Sequence, residues 1–332
     1  MEEKINLTNN WYFAAIPETF LRFSLPFKKG YYWYMDNNIA TEIAVVGITY
    51  QPKWYGGPLK SIKHTDKIRG DLILYSVRFA VGVGHRVVLV DGGSAKTFVA
   101  ELKKIPGVKL FQSKVPKRSP NRRKAIFEAS KIEGIKAIVM TEIEKVSLIT
   151  DCMSVMVSPI LHGDADVVIP KREEALFKKS YPDYMFESEV EGNLMYNEAL
   201  RANGLLSSHQ DDLDVFFGAR VFRNDKKMLK FLLSHYEAHP FNSLIEHKLF
   251  NLEEYSNAQF FPVVKALAKG LRVVSVTVPF VYPEKQKENE QVGEKEFFQL
   301  KRRYQKLTII IELMHFLGYL AHNNERSIQL KH

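Results

Sequence analysis

From residue 42 onward, short apolar segments alternate with longer amphipathic ones, and this alternation restricts the folds that the chain can adopt. Apolar segments of strand length occur at 43–49, 86–90, 108–112, 137–140 and 165–169. Patterns typical of helices lie between them. Strands and helices that alternate in this way form parallel sheets with right-handed crossovers. We therefore predict an α/β fold, a mainly parallel sheet with helices on both faces.

The same patterns give two finer predictions. In the first predicted helix, 66–81, apolar residues recur at spacings of four and three: Ile68, Leu72, Tyr75 and Phe79. This spacing places them on one helical face, which we expect to lie on the sheet. Between 173 and 213 the sequence is polar and irregular, which predicts a binding region built from loops.

The charge balance indicates anionic partners. The 332 residues include 47 Lys and Arg against 38 Asp and Glu, a net charge of +9. Such an excess favours nucleotides, nucleic acid or acidic lipid. Cys152 is the only cysteine, so an internal disulfide is excluded and a reducing compartment is indicated. No secretory signal or membrane-spanning segment is recognisable, and we expect a cytoplasmic protein.

Two glutamates follow the apolar segment at 137–140. Glu142 and Glu144 stand where this strand leaves the sheet, with Ile143 between them. Ligands of open α/β sheets bind at the carboxyl ends of the strands, and an acid-x-acid pair there can hold a divalent cation that grips a diphosphate. A solvated turn with two surface glutamates is the alternative.

Further charged side chains are predicted at the same edge. Asp91 ends the second strand, where its carboxylate can accept hydrogen bonds from a base or ribose. Arg122 and Arg123 lie near the start of the helix that follows Ser119, where they add charge to a helix dipole that attracts phosphate. An Asp-Gly turn and a solvated helix face are the respective alternatives.

Several enzyme classes lack their motif in this sequence. Gly82-Val83-Gly84 precedes a strand, whereas the dinucleotide fingerprint follows one. The phosphate-binding lysine loop, the His-Glu-x-x-His zinc motif and the G-x-S-x-G elbow are also missing from the sequence. A classical nicotinamide site is therefore disfavoured.

Taken together, these segments resemble the nucleotide-sugar glycosyltransferases of the GT-A fold, in particular family-2-like enzymes. The resemblance covers roughly 42–282 and includes 163–172 and 216–219. It implies a GT-A-like fold in which Asp91 contacts the nucleoside. Glu142 and Glu144 stand where the family's D-x-D motif binds Mn²⁺ or Mg²⁺, with glutamate in place of both aspartates. Glu144 is expected to contact the metal, and Glu142 the ribose or a metal-bound water.

Candidate catalytic groups follow from the same resemblance. An inverting transferase needs a general base near the acceptor hydroxyl. Asp212 and Glu246 are the candidate carboxylates, and His247 is a candidate late metal ligand, because the pair Glu246-His247 lies close to where related enzymes place such groups.

These features predict three parts: an aromatic-rich N-terminal extension (1–41), a GT-A-like domain (42–285) and a C-terminal helical extension (286–332). The predicted function is transfer of a sugar from a nucleotide-sugar donor to a hydroxyl acceptor, a glycan or a lipid, with no nucleic-acid partner. One alternative is a non-catalytic protein that binds a nucleotide sugar, a glycan or an anionic surface. The other is a sugar nucleotidyltransferase, although its glycine-rich basic loop is not evident in 51–64.

The C-terminal helix suggests a membrane contact. It begins with Lys301, Arg302 and Arg303 and continues with apolar residues. Basic residues beside an apolar stripe are typical of helices that lie in a membrane interface. The sequence therefore predicts peripheral contact with the inner membrane face, and ordinary packing on the domain is the alternative.

Overall fold

A seven-stranded sheet organises the computed structural model, which describes residues 37–115, 117–237, 252–292 and 295–329. The strands are β1 Ile43–Thr49, β2 Arg86–Asp91, β3 Val108–Gln112, β4 Ala137–Met140, β5 Val167–Arg172, β6 Arg220–Arg223 and β7 Val273–Val278. The helices before β6 are α1 Asn37–Thr41, α2 Thr65–Gly82, α3 Lys96–Lys103, α4 Arg118–Ser130, α5 Val146–Thr150, α6 Met153–Leu161, α7 Glu174–Ser180 and α8 Asp183–Ala202. Those after it are α9 Lys226–Leu233, α10 Ser256–Gln259, α11 Phe261–Ala268, α12 Glu284–Val292 and α13 Lys295–Gln329.

The order of the strands locates a binding edge. The sheet runs β3-β2-β1-β4-β6-β5-β7, and only β6 is antiparallel to its neighbours within the described residues. From β1 the chain builds outward through β2 and β3, and then returns to place β4 on the other side of β1. The carboxyl ends of β1 and β4 therefore form a topological switch point, the position at which open α/β sheets bind ligands.

Side chains that alternate along the strands form two cores. Val45, Leu89 and Val139 pack on one face of the sheet with α2, α3 and α6. Val46 and Ile138 pack on the other face with α4, α8, α11 and α13. Buried β-branched and aliphatic residues on both faces are typical of a parallel sheet covered by two layers of helices. The predicted α/β fold, a mainly parallel sheet with helices on both faces, is confirmed.

Two local predictions are wrong. Residues 174–202 form helices α7 and α8, not loops, and Met185 and Tyr196 of α8 are buried against the domain. The face of α2 that lies on the sheet carries Ile73 and Val77, whereas Tyr75 is exposed. In this orientation the indole of Trp54 packs against the backbone of α2 at Gly70. A side chain at this position would not fit, since its Cβ would lie 2.2 Å from the indole.

A buried cluster of charges joins β5, α8 and the segment before β6. The guanidinium of Arg172 donates through Nε and Nη2 to both carboxylate oxygens of Asp214, each at 2.7 Å, and through Nη1 to Glu189 at 2.5 Å. Asn193 donates a further hydrogen bond to Asp214. The Arg172 side chain is 0% exposed, so its charge depends on these carboxylates.

The C-terminal part of the chain covers the edge of the sheet. Helix α13 packs along α8, and α12 packs on α2.

No helix among the described residues is long and apolar enough to cross a membrane. Residues 1–36, which make up most of the predicted N-terminal extension, lie outside the described part of the chain. The domain boundaries stay predictions.

The buried charge cluster predicts unequal effects of two neighbouring substitutions. We expect Asp214→Asn to lower the free energy of unfolding by about 3 kcal/mol, because it leaves the buried Arg172 with too little negative charge. Asp212 pairs with Arg201 at 2.7 Å, but its side chain is 47% exposed. Asp212→Asn should therefore cost roughly 1 kcal/mol or less. Urea denaturation followed by circular dichroism measures both values, and equal losses would contradict the structural role of Asp214.

Candidate functional site

The two glutamates of the acid-x-acid segment lie at the switch point of the sheet. Ile143, between them, is fully buried and packs on Gly47 of β1, where a Cβ would lie 2.4 Å from the Ile143 side chain. The segment forms a turn, which the hydrogen bond from the Lys145 N–H to the Glu142 carbonyl closes at 3.1 Å. With Ile143 anchored in the core, Glu142 and Glu144 are the partly exposed residues of this turn.

Glu142 is the more accessible of the two carboxylates. Its side chain is 42% exposed, and one oxygen lies 3.2 Å from the ammonium of Lys145. Loss of water around it acts to raise its pKa, but nearby cations, Lys145 foremost and then Arg122, hold that pKa below its usual range. Glu142 is thus an ionised hydrogen-bond acceptor and a weak base.

Glu144 has a different environment from Glu142. Its side chain is 12% exposed, and Arg69 approaches it to 3.8 Å. Burial raises the pKa of Glu144, and the charge of Glu142 adds to the effect, while Arg69 opposes it. The two carboxyl groups therefore have pKa values that are displaced in opposite directions.

A cleft next to Glu142 is lined by cationic side chains from several helices. Arg69 of α2 pairs with Glu290 at 2.9 Å. Arg118, the first residue of α4, pairs with Glu254 at 2.8 Å and donates to the hydroxyl of Tyr255. The cleft thus gathers positive charge from parts of the chain that are far apart in sequence.

Helix α13 contributes two further cations to the cleft. Arg302 pairs with Glu189 at 3.0 Å, which ties α13 to the buried cluster around Arg172. Within the described residues, Lys301 has no carboxylate at ion-pair distance. Burial lowers the pKa of Lys301 to about 8, and the neighbouring guanidinium groups, that of Arg69 first, add to this effect.

The cleft also contains polar atoms that lack a partner among the described residues. They are Nε of Arg69, the hydroxyl of Tyr184, and Oε1 of Gln259 and of Gln286. Aromatic rings, among them Phe217, lie beside them. Buried polar atoms are normally satisfied, so such a set indicates a place for water or a polar ligand. The cavity volume is about 60 Å³, room for a few waters only, because α13 lies over it.

Asp91 and Arg123 are both engaged in local structure. The Asp91 carboxylate, 1% exposed, accepts hydrogen bonds from the Thr49 hydroxyl and from the backbone N–H groups of Gly93 and Ser94. It thereby stabilises the turn after β2. Arg123 forms a bidentate pair with a glutamate of the segment before α10. Neither residue lines the cleft, and their roles in donor binding stay predictions.

Arg122 lies closer to the predicted site. It is 6% exposed, its Nη1 atom has no partner among the described residues, and its charge lowers the pKa of Glu142. Helix α4 begins at Arg118 and already includes Ser119, which we expected to precede it, so Arg122 stands one turn inside the helix. Arg122 therefore does not line the cleft, but its positive charge lowers the pKa of Glu142, which does.

Of the predicted catalytic and late metal-binding residues, Asp212 alone lies in the described part of the chain. Asp212 lies before the 3₁₀ turn Val215–Phe217, pairs with Arg201 and does not line the cleft. Glu246 and His247 lie outside the residues that the structure describes. The roles proposed for all three stay predictions.

The described residues do not form a metal centre by themselves. In the described part of the chain, no group of three or more His, Cys, Asp or Glu side chains is arranged to hold a metal. Glu142 and Glu144 supply two carboxylates, and Glu142 is already paired with Lys145. A divalent cation there would need most of its ligands from a donor and from water.

Sequence reasoning missed the cations of the cleft. Arg69, on the predicted helix 66–81, and Arg118, beside Ser119, carried no motif that singled them out. Lys301 and Arg302 were noticed, but as part of a membrane-facing surface. Helical periodicity could have shown that Lys301 and Arg302 do not lie on the exposed apolar side of α13. In the structure both residues line the cleft.

Comparisons with known proteins give the following. No protein-family model matches the sequence, and no curated protein matches it. Among solved structures, the chain is similar to 4-diphosphocytidyl-2C-methyl-D-erythritol synthase from Anaerococcus prevotii, with 10% identity, a TM-score of 0.39 and coverage of 78% of this chain and 99% of that one. It is also similar to glucosyl-3-phosphoglycerate synthase of M. tuberculosis, with 12% identity, a TM-score of 0.37 and coverage of 79% and 82%. The third similar structure is that of residues 1–349 of S. aureus TarS, with 13% identity, a TM-score of 0.36 and coverage of 82% of this chain and 80% of that one. Similarities of this size do not bear on the activity of the chain.

Proposed function

We propose that the protein is a glycosyltransferase that moves a sugar from a nucleotide-sugar donor to a hydroxyl acceptor. The observation that carries this proposal is the cleft at the switch point, which combines cationic side chains with unpaired buried polar atoms. Guanidinium and ammonium groups bind a diphosphate. The unpaired amide and hydroxyl groups match the hydroxyls of a sugar, and the aromatic rings provide surfaces for a base or a sugar ring.

The cations have a chemical role in this reaction. When the bond between the anomeric carbon and the phosphate oxygen breaks, negative charge grows on the leaving nucleoside diphosphate. Arg69, Arg118 and Lys301 would stabilise that charge, an effect that increases towards the transition state and so raises turnover. The acceptor oxygen bonds to the anomeric carbon and gives its proton to a base. Glu142, with its lowered pKa, suits hydrogen bonding to donor hydroxyls better than that task.

Helix α13 must move for a donor to bind in this cleft. A cavity of about 60 Å³ cannot contain a nucleotide sugar, whereas ligand pockets are commonly several hundred Å³. Residues of α13, among them Phe298 and Ile309, form part of its wall. Donor binding therefore involves an outward shift of α13, followed by its return over the diphosphate.

The acceptor and the location of the protein are proposed more broadly. A glycan or a lipid hydroxyl remains the proposed acceptor class. The cytoplasmic location and the contact of α13 with the inner membrane face stay predictions. The structure changes the basis of the membrane contact, because Lys301 and Arg302 face the cleft and not the exposed side of the helix.

One experiment separates the candidate functions. The protein is incubated with UDP-, GDP-, ADP- and CDP-linked sugars, with and without simple glycan and lipid acceptors, and free nucleoside diphosphate is measured. We expect nucleoside diphosphate to be released from the donors that contain one of the four bases. An acceptor should increase the rate of this release, and Arg69→Met should reduce it at least tenfold. Binding of a donor by calorimetry without any release would favour the non-catalytic protein. Pyrophosphate release from a nucleoside triphosphate and a sugar 1-phosphate would favour the nucleotidyltransferase.

The predicted use of Mn²⁺ or Mg²⁺ has its own test. If Glu144 holds a cation that bridges the donor phosphates, Glu144→Gln should weaken donor binding in Mn²⁺ by about 1.5–3 kcal/mol, the range for hydrogen bonds to charged groups. Chelator should weaken binding by the parent protein to a similar extent. Glu128→Gln, a change on the outer side of α4, serves as the control. If chelator does not change the donor affinity of the parent protein, and Glu144→Gln binds the donor as tightly as the parent does, the two glutamates are not a metal site.

Lys301 should matter for donor binding because its charge has no carboxylate partner among the described residues of the cleft. We expect Lys301→Met to weaken binding of the donor identified above about tenfold, since it removes a charged hydrogen bond to phosphate. Lys103→Met, at an exposed position on α3, is the matched control and should have no effect. Calorimetry measures both dissociation constants.

The same residue predicts a pH dependence. Below pH 8 Lys301 is protonated in both the free and the bound protein, so affinity should be constant. A bound diphosphate raises the pKa of Lys301. Above about 8, binding must therefore take up a proton and affinity should fall by up to tenfold per pH unit. The Lys301→Met variant should lack this fall, and a parent whose affinity is flat from pH 7 to 9.5 would contradict the role of Lys301.

A further inference from the structure

Helix α13 is apolar on two opposite sides, and the described residues cover one of them. Its inner side carries Phe298, Ile309, Leu313 and Phe316, all buried against the domain. Its other side carries the residues that we call the outer stripe: Phe297, Leu300, Tyr304, Leu307, Ile311 and Met314, which are 41–64% exposed. Contiguous exposed apolar patches that are larger than usual mark interaction surfaces. The outer stripe therefore indicates a partner surface.

The spacing of the outer stripe indicates what kind of surface covers it. Successive members are separated by three, four, three, four and three residues, which is the a/d pattern of a heptad repeat. This pattern forms a narrow straight seam that fits another helix with the same pattern. The seam is continuous for about 17 residues, between Phe297 and Met314, or close to five turns.

Helix α8 packs along α13 and adds exposed apolar side chains to the same part of the surface. Val190 and Leu194 of α8 are 44% and 52% exposed. The ammonium of Lys306 of α13 pairs with Glu191 of α8 at 2.5 Å, which joins the two helices. A large apolar side chain buries on the order of 150–250 Å² when it is enclosed. The combined surface is therefore roughly 800 Å², more than the patches of most monomers and close to one side of a standard protein interface.

The charges around the stripe favour a second copy of the chain over a lipid surface. Glu187 and Glu198 are exposed on α8 beside the apolar surface, and neither has an ion-pair partner among the described residues. These carboxylates would repel anionic lipid. Arg303, exposed at the edge of the stripe on α13, is likewise unpaired in the described part of the chain. An arginine on one copy and glutamates on another are complementary.

We propose that the outer stripe of α13, with Val190 and Leu194 of α8, is a two-fold interface between two copies of this chain. A surface with its own complementary charges and a heptad seam can pair with itself about a two-fold axis, the commonest symmetry of soluble oligomers. This inference does not depend on the proposed activity. The interface lies on the side of α13 away from the cleft, so each copy retains its own site.

Sedimentation equilibrium of the full chain between about 1 and 100 µM tests this interface. We expect a dimer for the parent and a monomer throughout this range for the double variant Tyr304→Glu and Leu307→Glu, a weakening of at least 100-fold. The matched control is Val83→Glu with Val155→Glu, two residues of similar exposure at other places on the surface. It should dimerise like the parent. Thermal unfolding followed by circular dichroism should be alike for the two double variants at concentrations where both are monomeric.

Three other outcomes would overturn the proposal, and each would indicate a different role for the outer stripe. A monomeric parent whose dimer appears only when residues 1–36 are deleted would show that the N-terminal segment covers the stripe. A monomeric parent that sediments with phosphatidylglycerol vesicles, and loses this with the stripe variant, would show a membrane surface. A stripe variant that dimerises as tightly as the parent would place the interface elsewhere.

Discussion

The pairing of buried charges at the carboxyl edge of the sheet is the interaction on which the rest of the site depends. Arg172 has no access to solvent and is held by Asp214 and Glu189. Glu189 in turn binds Arg302 of α13. A buried guanidinium is tolerated only where carboxylates and hydrogen bonds replace its water. The chain of ion pairs therefore connects the end of β5 to the C-terminal helix, and it determines where that helix lies over the cleft.

Because α13 is held by this chain of ion pairs, its two sides serve different purposes. The inner side closes the cleft and brings Lys301 and Arg302 to it. The outer side carries the exposed heptad seam. A helix that shifts when a donor binds, and that also pairs with a second copy, couples the two events, since each changes the free energy of the same helix position. Association and donor binding would then influence each other to an equal degree.

The sheet could be predicted from the sequence because buried parallel strands are continuous apolar runs. The segments at 43–49, 108–112 and 137–140 agree with the strands, and the position of Glu142 at a strand end followed directly. Helix α7 could not be predicted because it is short and polar, and α8 because two of its polar residues, Glu189 and Asn197, are buried, which breaks the apolar period. The cations of the cleft come from α2, α4 and α13, far apart in sequence. Only the crossing of these helices over the switch point brings Arg69, Arg118 and Lys301 together.

The electrostatics of the closed cleft suggest why a donor would stabilise it. With no anion present, burial and three neighbouring guanidinium groups depress the pKa of Lys301 to about 8, which means that the closed arrangement is unfavourable for its charge. In the open arrangement, water would solvate that charge. A diphosphate reverses this balance, because it supplies negative charge at the place where the cations converge. A ligand shifts a conformational equilibrium only by its difference in affinity for the two states. The charge of Lys301, which has no carboxylate partner among the described residues, would provide such a difference, and closure of α13 would then depend on the phosphates of the proposed donor.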